Sequence, residues 1–340
     1  MKRLLILCLV LSCGTVYGQI AGLSTLSVLD ASSSARTAGL GMDYLSVYDG
    51  DLTTGIDNPS LIDGRYHHTL SLNYVGLFSG SNFGSVNYGR HIDKLGDFLF
   101  GFHFNSYGRF EGYDETETET GNFFAADYVL SVGWGRAIDS SFSIGVNFKP
   151  VLSQYESYTA LAVAIDLAGS YVSASKRFSS TLMARNIGAQ LMTFDGTTES
   201  LPFELSAALS YKLANAPLRF FFAATELQRW NLRYDDELNP VVTYDPYAEE
   251  YTRETWVHEA ADKLFRHAVF GVELSLKDVV FARLGYNYRQ SAETHGTNNI
   301  NSSGFSYGLG IRKNRFEFSF ARNNYYLGKA PNYITISVRL

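Results

Sequence analysis

The residues with the clearest chemical potential lie near position 260, where His258 and Glu259 are followed by Asp262. In metalloproteases, two His on one helical face bind zinc and a neighbouring Glu acts as the base. Here Asp262 stands where the second His is needed, and no third ligand lies nearby in the sequence. We therefore predict a solvated or partner-binding helix in this place, with no metal and no cofactor.

Other chemical patterns in the chain are incomplete. Gly39 and Gly41 lack the third glycine of a dinucleotide fingerprint and follow no predicted strand. The acidic stretch 111–119 lacks the spacing of a calcium loop. A solvated loop, a divalent-cation bridge to lipopolysaccharide and a contact with a basic partner all fit it. No Ser/His/Asp set or phosphate loop stands out, and the formal net charge is -6. We predict a protein that is not an enzyme and does not bind nucleic acid.

The elements that position these residues are predicted to be strands. Bulky apolar residues recur at every second position, and this alternation is typical of strands. The run from Phe98 to Phe104 is typical. No apolar stretch behind the N-terminal leader is long enough for a spanning helix, and aromatic residues make up 15% of the chain. This predicts an all-β, 14-stranded antiparallel transmembrane β-barrel over residues 66–340. The predicted strands are 67–79, 82–91, 97–109, 123–136, 142–154, 158–175, 178–187, 203–213, 217–230, 266–277, 279–290, 303–313, 315–325 and 331–340.

The links between these segments alternate in length. Short links follow the even-numbered segments, whereas most of the others are longer and polar, above all 231–265. Short periplasmic turns and long outside loops are expected of an outer-membrane barrel, and a β-sandwich has no reason to alternate in this way. We predict a location in the bacterial outer membrane, with the long loops facing the cell exterior and with membrane lipid and lipopolysaccharide as surroundings.

The first residues predict export. Lys2 and Arg3 precede an apolar run over residues 4–11, so we expect a signal peptide over residues 1–18, removed before Gln19. Residues 10–13 also resemble the box at which bacterial lipoproteins are acylated, which leaves lipidation at Cys13 as the alternative.

Residues 19–65 show no sustained alternation and predict an N-terminal plug segment inside the barrel. We expect Arg36 of this segment to pair with an inward acid, for which Glu204, Glu273 and Glu317 are the candidates. In the alternative, these acids line a wet lumen together with Arg283, Arg312 and Arg339. The inward faces mapped on the strands are mostly Ser, Asn, Gly, Glu and Arg, which disfavours an apolar ligand.

The long link 231–265 is rich in aromatic residues and charges of both signs. Because aromatic residues and arginine anchor protein interfaces, we predict a contact with a partner protein here. Packing of the link over the barrel mouth is the alternative. The residues predicted to make the contact are Trp230, Tyr244, Tyr247, Tyr251, Arg253 and Trp256.

The N-terminal segment also carries a family resemblance. Residues 34–41, which include Arg36, and residues 57–61, which include Asn58 and Pro59, resemble the N-terminal motifs of FadL-like outer-membrane proteins, with Ser60 in place of the usual Ala. Further motifs resemble the PorV/PorQ family of the type IX secretion system. They are 149–153, 155–158, 166–167, 201–204 and 216–220.

The resemblance implies a fourteen-stranded FadL-like barrel without enzymatic activity. It further implies a member of the surface complex that receives secreted cargo and attaches it to lipopolysaccharide, and that anchors a PorZ-like surface protein. The alternative is a FadL-like transporter for hydrophobic small molecules, to which Leu23, Leu26, Val28 and Leu29 would supply apolar walls.

Overall fold

The computed structural model describes residues 24–77, 80–233, 243–245, 250–252, 256–294, 302–324 and 330–340. Fourteen antiparallel strands form one closed barrel, and two short strands, β10 and β11, form a separate hairpin. The strands are β1 (Thr69–Gly76), β2 (Asn82–Ile92), β3 (Gly96–Tyr113), β4 (Glu119–Ala137), β5 (Phe142–Tyr155), β6 (Tyr158–Val172), β7 (Phe178–Met192), β8 (Glu204–Lys212), β9 (Leu218–Ala224), β10 (Thr243–Asp245), β11 (Glu250–Thr252), β12 (Ala268–Leu276), β13 (Val280–Asn287), β14 (Phe305–Lys313), β15 (Phe316–Asn323) and β16 (Asn332–Arg339).

The ring closes where β1 pairs with β16, with Thr69 opposite Arg339. Closure leaves no unpaired strand edge. Alternation along each strand separates the two faces: in β6, Leu161 and Leu167 are exposed outward while Ala160 and Ala164 are buried inward. The predicted fourteen-stranded antiparallel barrel is confirmed. None of the helices in the described ranges is long and apolar enough to cross a membrane.

Residues 24–66 lie inside the ring of strands. They form the helix α1 (Ala35–Gly39) and four short 3-10 helices. Ser34 immediately precedes α1, and its hydroxyl caps the helix by accepting the N–H of Thr37. The four 3-10 helices are Ser27–Leu29, Leu52–Thr54, Pro59–Leu61 and Gly64–Tyr66, and together with α1 they contact β1–β6 and β13–β16.

The segment runs from one end of the barrel to the other. Near its start, the N–H of Thr25 donates to the carbonyl of Ser200, in the link between β7 and β8. Just after its end, the carbonyl of His68 accepts the N–H of Leu340. We call the first end, which carries the links 193–203, 225–267, 288–304 and 324–331, the loop end. The opposite end, with the links 93–95, 138–141, 173–177, 213–217, 277–279 and 314–315, is the turn end.

The boundaries of several elements differ from the sequence predictions. The predicted acidic loop is shortened to residues 114–118, because β3 and β4 extend past the ring as a hairpin in which Phe110 stacks on Phe123, with ring centroids 5.4 Å apart. The predicted segment 217–230 is a strand only as far as Ala224, after which the chain leaves the ring into the long link.

Two helices belong to the loop end. α2 (Trp256–Phe265) lies within the long link. α3 (Tyr288–Glu293) follows β13, so the predicted strand 279–290 stops at Asn287, whose side chain caps α3 by accepting the N–H of Gln290. Residues 1–23, which include the predicted signal peptide, lie outside the described part of the chain.

Candidate functional site

The segment inside the barrel is held by a buried arginine. Arg36 is 2% exposed, and all five of its N–H groups have acceptors. Its Nε and one Nη2–H donate to the two carboxylate oxygens of Glu273 on β12, at 3.0 and 2.8 Å. The others reach Asp49 at 2.7 and 3.1 Å and Asp51 at 3.1 Å, both within the segment. The guanidinium thus joins the segment to the wall by a two-point ion pair.

Further contacts link this ion pair to neighbouring strands of the barrel wall. Glu273 also accepts the Nε of Arg283 at 2.8 Å, and Arg283 donates on to the hydroxyl of Ser319 at 3.1 Å. The two other predicted acids have different partners: Glu317 pairs with Arg312 at 2.8 Å and Glu204 with Arg185 at 3.3 Å. Arg339, at the turn end, donates to the carbonyl of Arg65 at 3.4 Å. Among the three candidates, Arg36 therefore contacts only Glu273.

A second charged cluster was missed as a site by sequence reasoning. The ammonium of Lys149 lies 2.7 Å from Asp166, on neighbouring strands. Asn186 accepts from Lys149 and donates to Asp30 of the segment at 2.9 Å. In the sequence, Lys149 and Asp166 stand out only as members of the motifs 149–153 and 166–167 that carry the family resemblance. A charged residue at an inward position of an alternating strand is the signal that identifies them.

The Asn58–Pro59 pair is a docking point for the segment. Asn58 donates to the carbonyl of Leu45 at 2.9 Å and to the hydroxyl of Thr181 at 3.2 Å. The hydroxyl of Ser60 bonds to that of Ser170 at 2.6 Å. The backbone of Pro59 lies so close to Gly145 that a Cβ there would be 2.1 Å from the Pro59 carbonyl carbon. Only glycine fits at this contact, which fixes the segment against β5–β7.

An apolar patch lies on the inner wall of β1, β2 and β4–β6 near the loop end. Leu26, Val28 and Leu29 of the segment pack against a buried apolar lining, which we call the apolar chamber. The expectation of a polar inner face is therefore incomplete for this part of the wall, where the apolar lining lies beside buried polar residues such as Asn105, Asp127 and Ser153. It came mainly from strand positions nearer the turn end, where small and polar residues do face inward. The lining residues are Val75, Phe83, Val129, Val151, Ala162, Ala164 and Leu201.

Polar groups border the chamber where it meets the second charged cluster. A cavity of about 30 Å³ lies between the segment and the wall, with Val28, Leu29 and Val129 on one side and Lys149 and Asp166 on the other. This is room for about two water molecules. The segment therefore leaves little free space against the wall at this place.

At the loop end, α2 turns its polar side to the barrel. Asp262 accepts hydrogen bonds from Arg266 and Tyr288, both at 2.9 Å, and lies 3.3 Å from Arg233. Partial burial alone would raise the pKa of Asp262, but the hydrogen bonds from Arg266 and Tyr288 outweigh it and hold the pKa below its ordinary value. The opposite side of α2 is apolar and exposed. It carries Trp256 at 79% exposure, with Val257, Ala260 and Leu264.

The other residues predicted for a partner contact are only partly described. Trp230 is 64% exposed and stacks on His267, with ring centroids 5.7 Å apart. Tyr244 and Tyr251 are paired across the β10–β11 hairpin. Tyr247 and Arg253 lie outside the described residues.

No three His, Cys, Asp or Glu side chains in the described ranges lie close enough to one another to hold a metal ion. His258 is exposed on the surface of α2, while Asp262 accepts hydrogen bonds from Arg266 and Tyr288 and forms an ion pair with Arg233.

The protein is thus a fourteen-stranded barrel whose lumen contains residues 24–66. In architecture it is similar to two mutants of TodX, a monoaromatic hydrocarbon channel. The deltaS2 mutant has a TM-score of 0.52 at 10% identity, over 92% of this chain and 98% of that one. The deltaS2S3 mutant also has a TM-score of 0.52 at 10% identity, over 93% and 100%. A FadL homologue of Pseudomonas aeruginosa has a TM-score of 0.48 at 11% identity, over 91% and 98%.

At this level of identity the likeness establishes the fold. No protein-family model matches the chain, and no curated protein is similar to it in sequence.

Proposed function

We propose that the protein is a FadL-like outer-membrane transporter for hydrophobic small molecules, in which residues 24–66 act as the plug. The observation that carries the proposal is the apolar chamber, against which the segment packs the side chains of Leu26, Val28 and Leu29. The likeness to monoaromatic hydrocarbon channels supports it. Near the loop end the inner face combines this apolar lining with buried polar residues such as Asp127 and Ser153, so it offers a place for an apolar ligand that the strands nearer the turn end lack.

In this proposal the entry step is a withdrawal of residues 24–33 from the wall. Withdrawal replaces three apolar side chains by an apolar guest of similar size, so the walls remain covered. It also breaks the hydrogen bonds that Asp30 and Ser33 make with the wall, which keep the segment closed in the absence of a guest. Arg36 and Asn58 lie beyond the moving part and keep the rest of the segment docked. The chamber then opens toward the loop end, from which the guest arrives.

The test is uptake of toluene by bacterial cells that express the full chain and lack other hydrocarbon transporters. The variant Leu29→Ser weakens the hold of the segment on the chamber and is expected to raise uptake severalfold at limiting toluene. The control Leu227→Ser makes the same change at an exposed leucine of the loop end and should leave uptake unchanged. Uptake no faster than in cells without the protein would refute the proposal, provided that the barrel is present in the membrane.

A second candidate function rests on α2. In this reading the barrel is a non-enzymatic component of the type IX secretion system that anchors a PorZ-like surface protein through its loop end. Its support is the exposed apolar side of α2, with Trp256 and Leu264, on a helix whose polar side faces the barrel. Both candidates share the FadL-like architecture, and the likeness to monoaromatic hydrocarbon channels supports transport rather than this reading.

Binding of the purified PorZ-like protein to the barrel in nanodiscs tests the second candidate. Trp256→Ser is expected to weaken binding by about 2 kcal/mol if this residue anchors the contact, about thirtyfold in Kd. Phe203→Ser, at an exposed aromatic residue outside α2, is the control. Equal affinities for both variants and the unchanged protein would exclude α2 as the contact.

The proposed location is the bacterial outer membrane, with the loop end toward the exterior. Export then depends on the signal peptide over residues 1–18. The mass of the mature N-terminus distinguishes cleavage before Gln19 from acylation at Cys13, since only acylation adds the mass of fatty acyl chains.

A further inference from the structure

A groove interrupts the outward surface of the barrel near the turn end. Its volume is about 440 Å³, within the range of small-molecule sites. The outward residues at its floor are small: Gly169 on β6, Ser180 on β7 and Ala207 on β8. Large apolar side chains stand around them. Those are Ile138, Phe142, Ile144, Tyr171, Leu182, Leu209 and Phe222.

The strand register explains the groove. Gly169 lies opposite Ile144 on one side and Leu182 on the other, and Leu182 lies opposite Ala207. Small and large outward residues thus alternate across neighbouring strands. A Cβ added at Gly169 would have its nearest neighbour, the Ser143 carbonyl oxygen, at 4.0 Å. The floor is therefore open space rather than a packed surface.

A cation lies at the rim of this groove. Arg136 is an exposed residue near the end of β4, and its register partner is Ile144, a wall residue of the groove. Arg136 makes no side-chain hydrogen bond or ion pair with any residue that the structure describes. Asp139, the acid of the adjacent turn, instead accepts the N–H groups of Ser141 and Phe142, at 2.7 and 2.8 Å.

Aromatic rings mark the same level of the barrel. Tyr171 lies between Phe142 and Phe178, with ring centroids 5.1 and 6.3 Å away. Clusters of this kind sit at the headgroup level of outer-membrane barrels. The groove and Arg136, which is paired with the groove residue Ile144, are therefore close to a membrane interface.

We propose that the groove binds one acyl chain of an anionic glycerophospholipid whose phosphate pairs with Arg136. A guanidinium matches a phosphate in charge and in its two-point hydrogen-bond geometry. The turn end faces the periplasm in the proposed orientation, and the adjoining leaflet consists of phospholipid. The inference rests on the proposed membrane location but not on transport, because a lipid held here lies outside the lumen.

The experiment is native mass spectrometry of the full-length barrel, released from nanodiscs that contain phosphatidylglycerol and phosphatidylcholine in equal amounts. One phosphatidylglycerol per barrel is expected to survive release. Arg136→Gln should reduce its retention about tenfold relative to phosphatidylcholine, and Ala207→Phe, which fills the floor, should abolish retention of both lipids.

Matched controls lie on the far side of the ring. Arg315→Gln removes an exposed arginine of another turn, and Ala282→Phe enlarges an outward alanine on β13. Both should retain the lipid. Each variant is checked for folding by its migration on a gel with and without heating.

Two results would overturn the proposal. The first is equal retention of phosphatidylglycerol in Arg136→Gln, Ala207→Phe and their controls, which would mean that the bound lipid is not at this groove. The second is a dimer of barrels that Ala207→Phe dissociates, which would make a second copy of the chain the occupant. Neither result bears on toluene uptake, so failure here is distinct from failure of the transport proposal.

Discussion

Arg36 and Glu273 lie 237 positions apart in the sequence and share two hydrogen bonds inside the barrel, at 3.0 and 2.8 Å. Both side chains are almost completely buried. A buried charge is stable only when it is paired with an opposite charge, because an unpaired one loses its hydration energy and gains no ion pair in return. The pair therefore fixes the position of α1 relative to β12.

Replacing Glu273 by Gln should release this contact. Arg36 retains Asp49 and Asp51, whereas Arg283 loses its acid, and the expected cost is about 3 kcal/mol in the free energy of unfolding. Thermal unfolding measured by loss of the heat-resistant gel band reports the change. Glu115→Gln, at an exposed acid in the β3–β4 turn, is the control and should unfold as the unchanged protein does.

Gly145 provides a steric test of docking at Pro59. Gly145→Ala places a methyl group against the Pro59 carbonyl and should displace residues 58–60, at a cost of about 1–3 kcal/mol. Gly169→Ala on the neighbouring strand meets nothing closer than 4.0 Å and should be neutral. Limited proteolysis of the segment distinguishes the two variants. Equal protection of both would mean that the segment is not held at Pro59.

The outward face of β15 tests the membrane location. Phe318 is near the middle of this face and Phe316 is at its turn end; both are exposed outward. Phe318→Lys should cost about 2–4 kcal/mol in a bilayer and Phe316→Lys about 1 kcal/mol or less, because the penalty falls toward the interface. Refolding into lipid vesicles over a denaturant series measures both. Equal costs at the two positions would contradict the assignment of depth.

The anchoring of α2 depends on pH through Asp262. The hydrogen bonds that Asp262 accepts favour its charged form, so its folded pKa lies below the ordinary value of 3.8. The stabilisation is complete above that value and is lost as the pH falls through the folded pKa. The protection of residues 256–265 from hydrogen exchange, measured relative to the intrinsic exchange rate at each pH, should be high at pH 6 and should fall as the pH drops through the folded pKa of Asp262, below 3.8. Asp262→Asn should show low protection at both pH values, and if its protection stays high the anchor lies elsewhere.

Much of the fold follows from the sequence because lipid-facing and lumen-facing residues alternate along a barrel strand. Phe316 and Phe318, for example, mark one face of β15. The hairpin beyond the ring is harder to predict, since Phe110 and Phe123 are stabilised by pairing with each other across strands. Local polarity there resembles that of a loop.

The site is only partly predictable. Arg36 is identified as a buried cation by its motif, but the choice of Glu273 over Glu204 and Glu317 depends on how deep α1 sits and on which strand faces it. The apolar chamber is hidden for a different reason. Val129 and Val151 are apolar at inward positions, so they interrupt the alternation instead of following it.

The central claim is that residues 24–33 withdraw from the wall to open the apolar chamber. The hydroxyls of Ser33 and Ser85 lie 2.7 Å apart, so a Ser33→Cys/Ser85→Cys disulfide can lock the moving part to β2. Ser60→Cys/Ser170→Cys, at a 2.6 Å contact, locks the part that stays docked. The only native cysteines, Cys8 and Cys13, lie in the predicted signal peptide.

The decisive measurement is saturable binding of a hydrophobic fluorophore, 1-N-phenylnaphthylamine, to both purified double variants in detergent, oxidised and then reduced. Oxidised Ser33→Cys/Ser85→Cys is predicted to lose binding and to regain it on reduction, while Ser60→Cys/Ser170→Cys binds in both states. Full binding by the oxidised Ser33→Cys/Ser85→Cys protein would contradict the account.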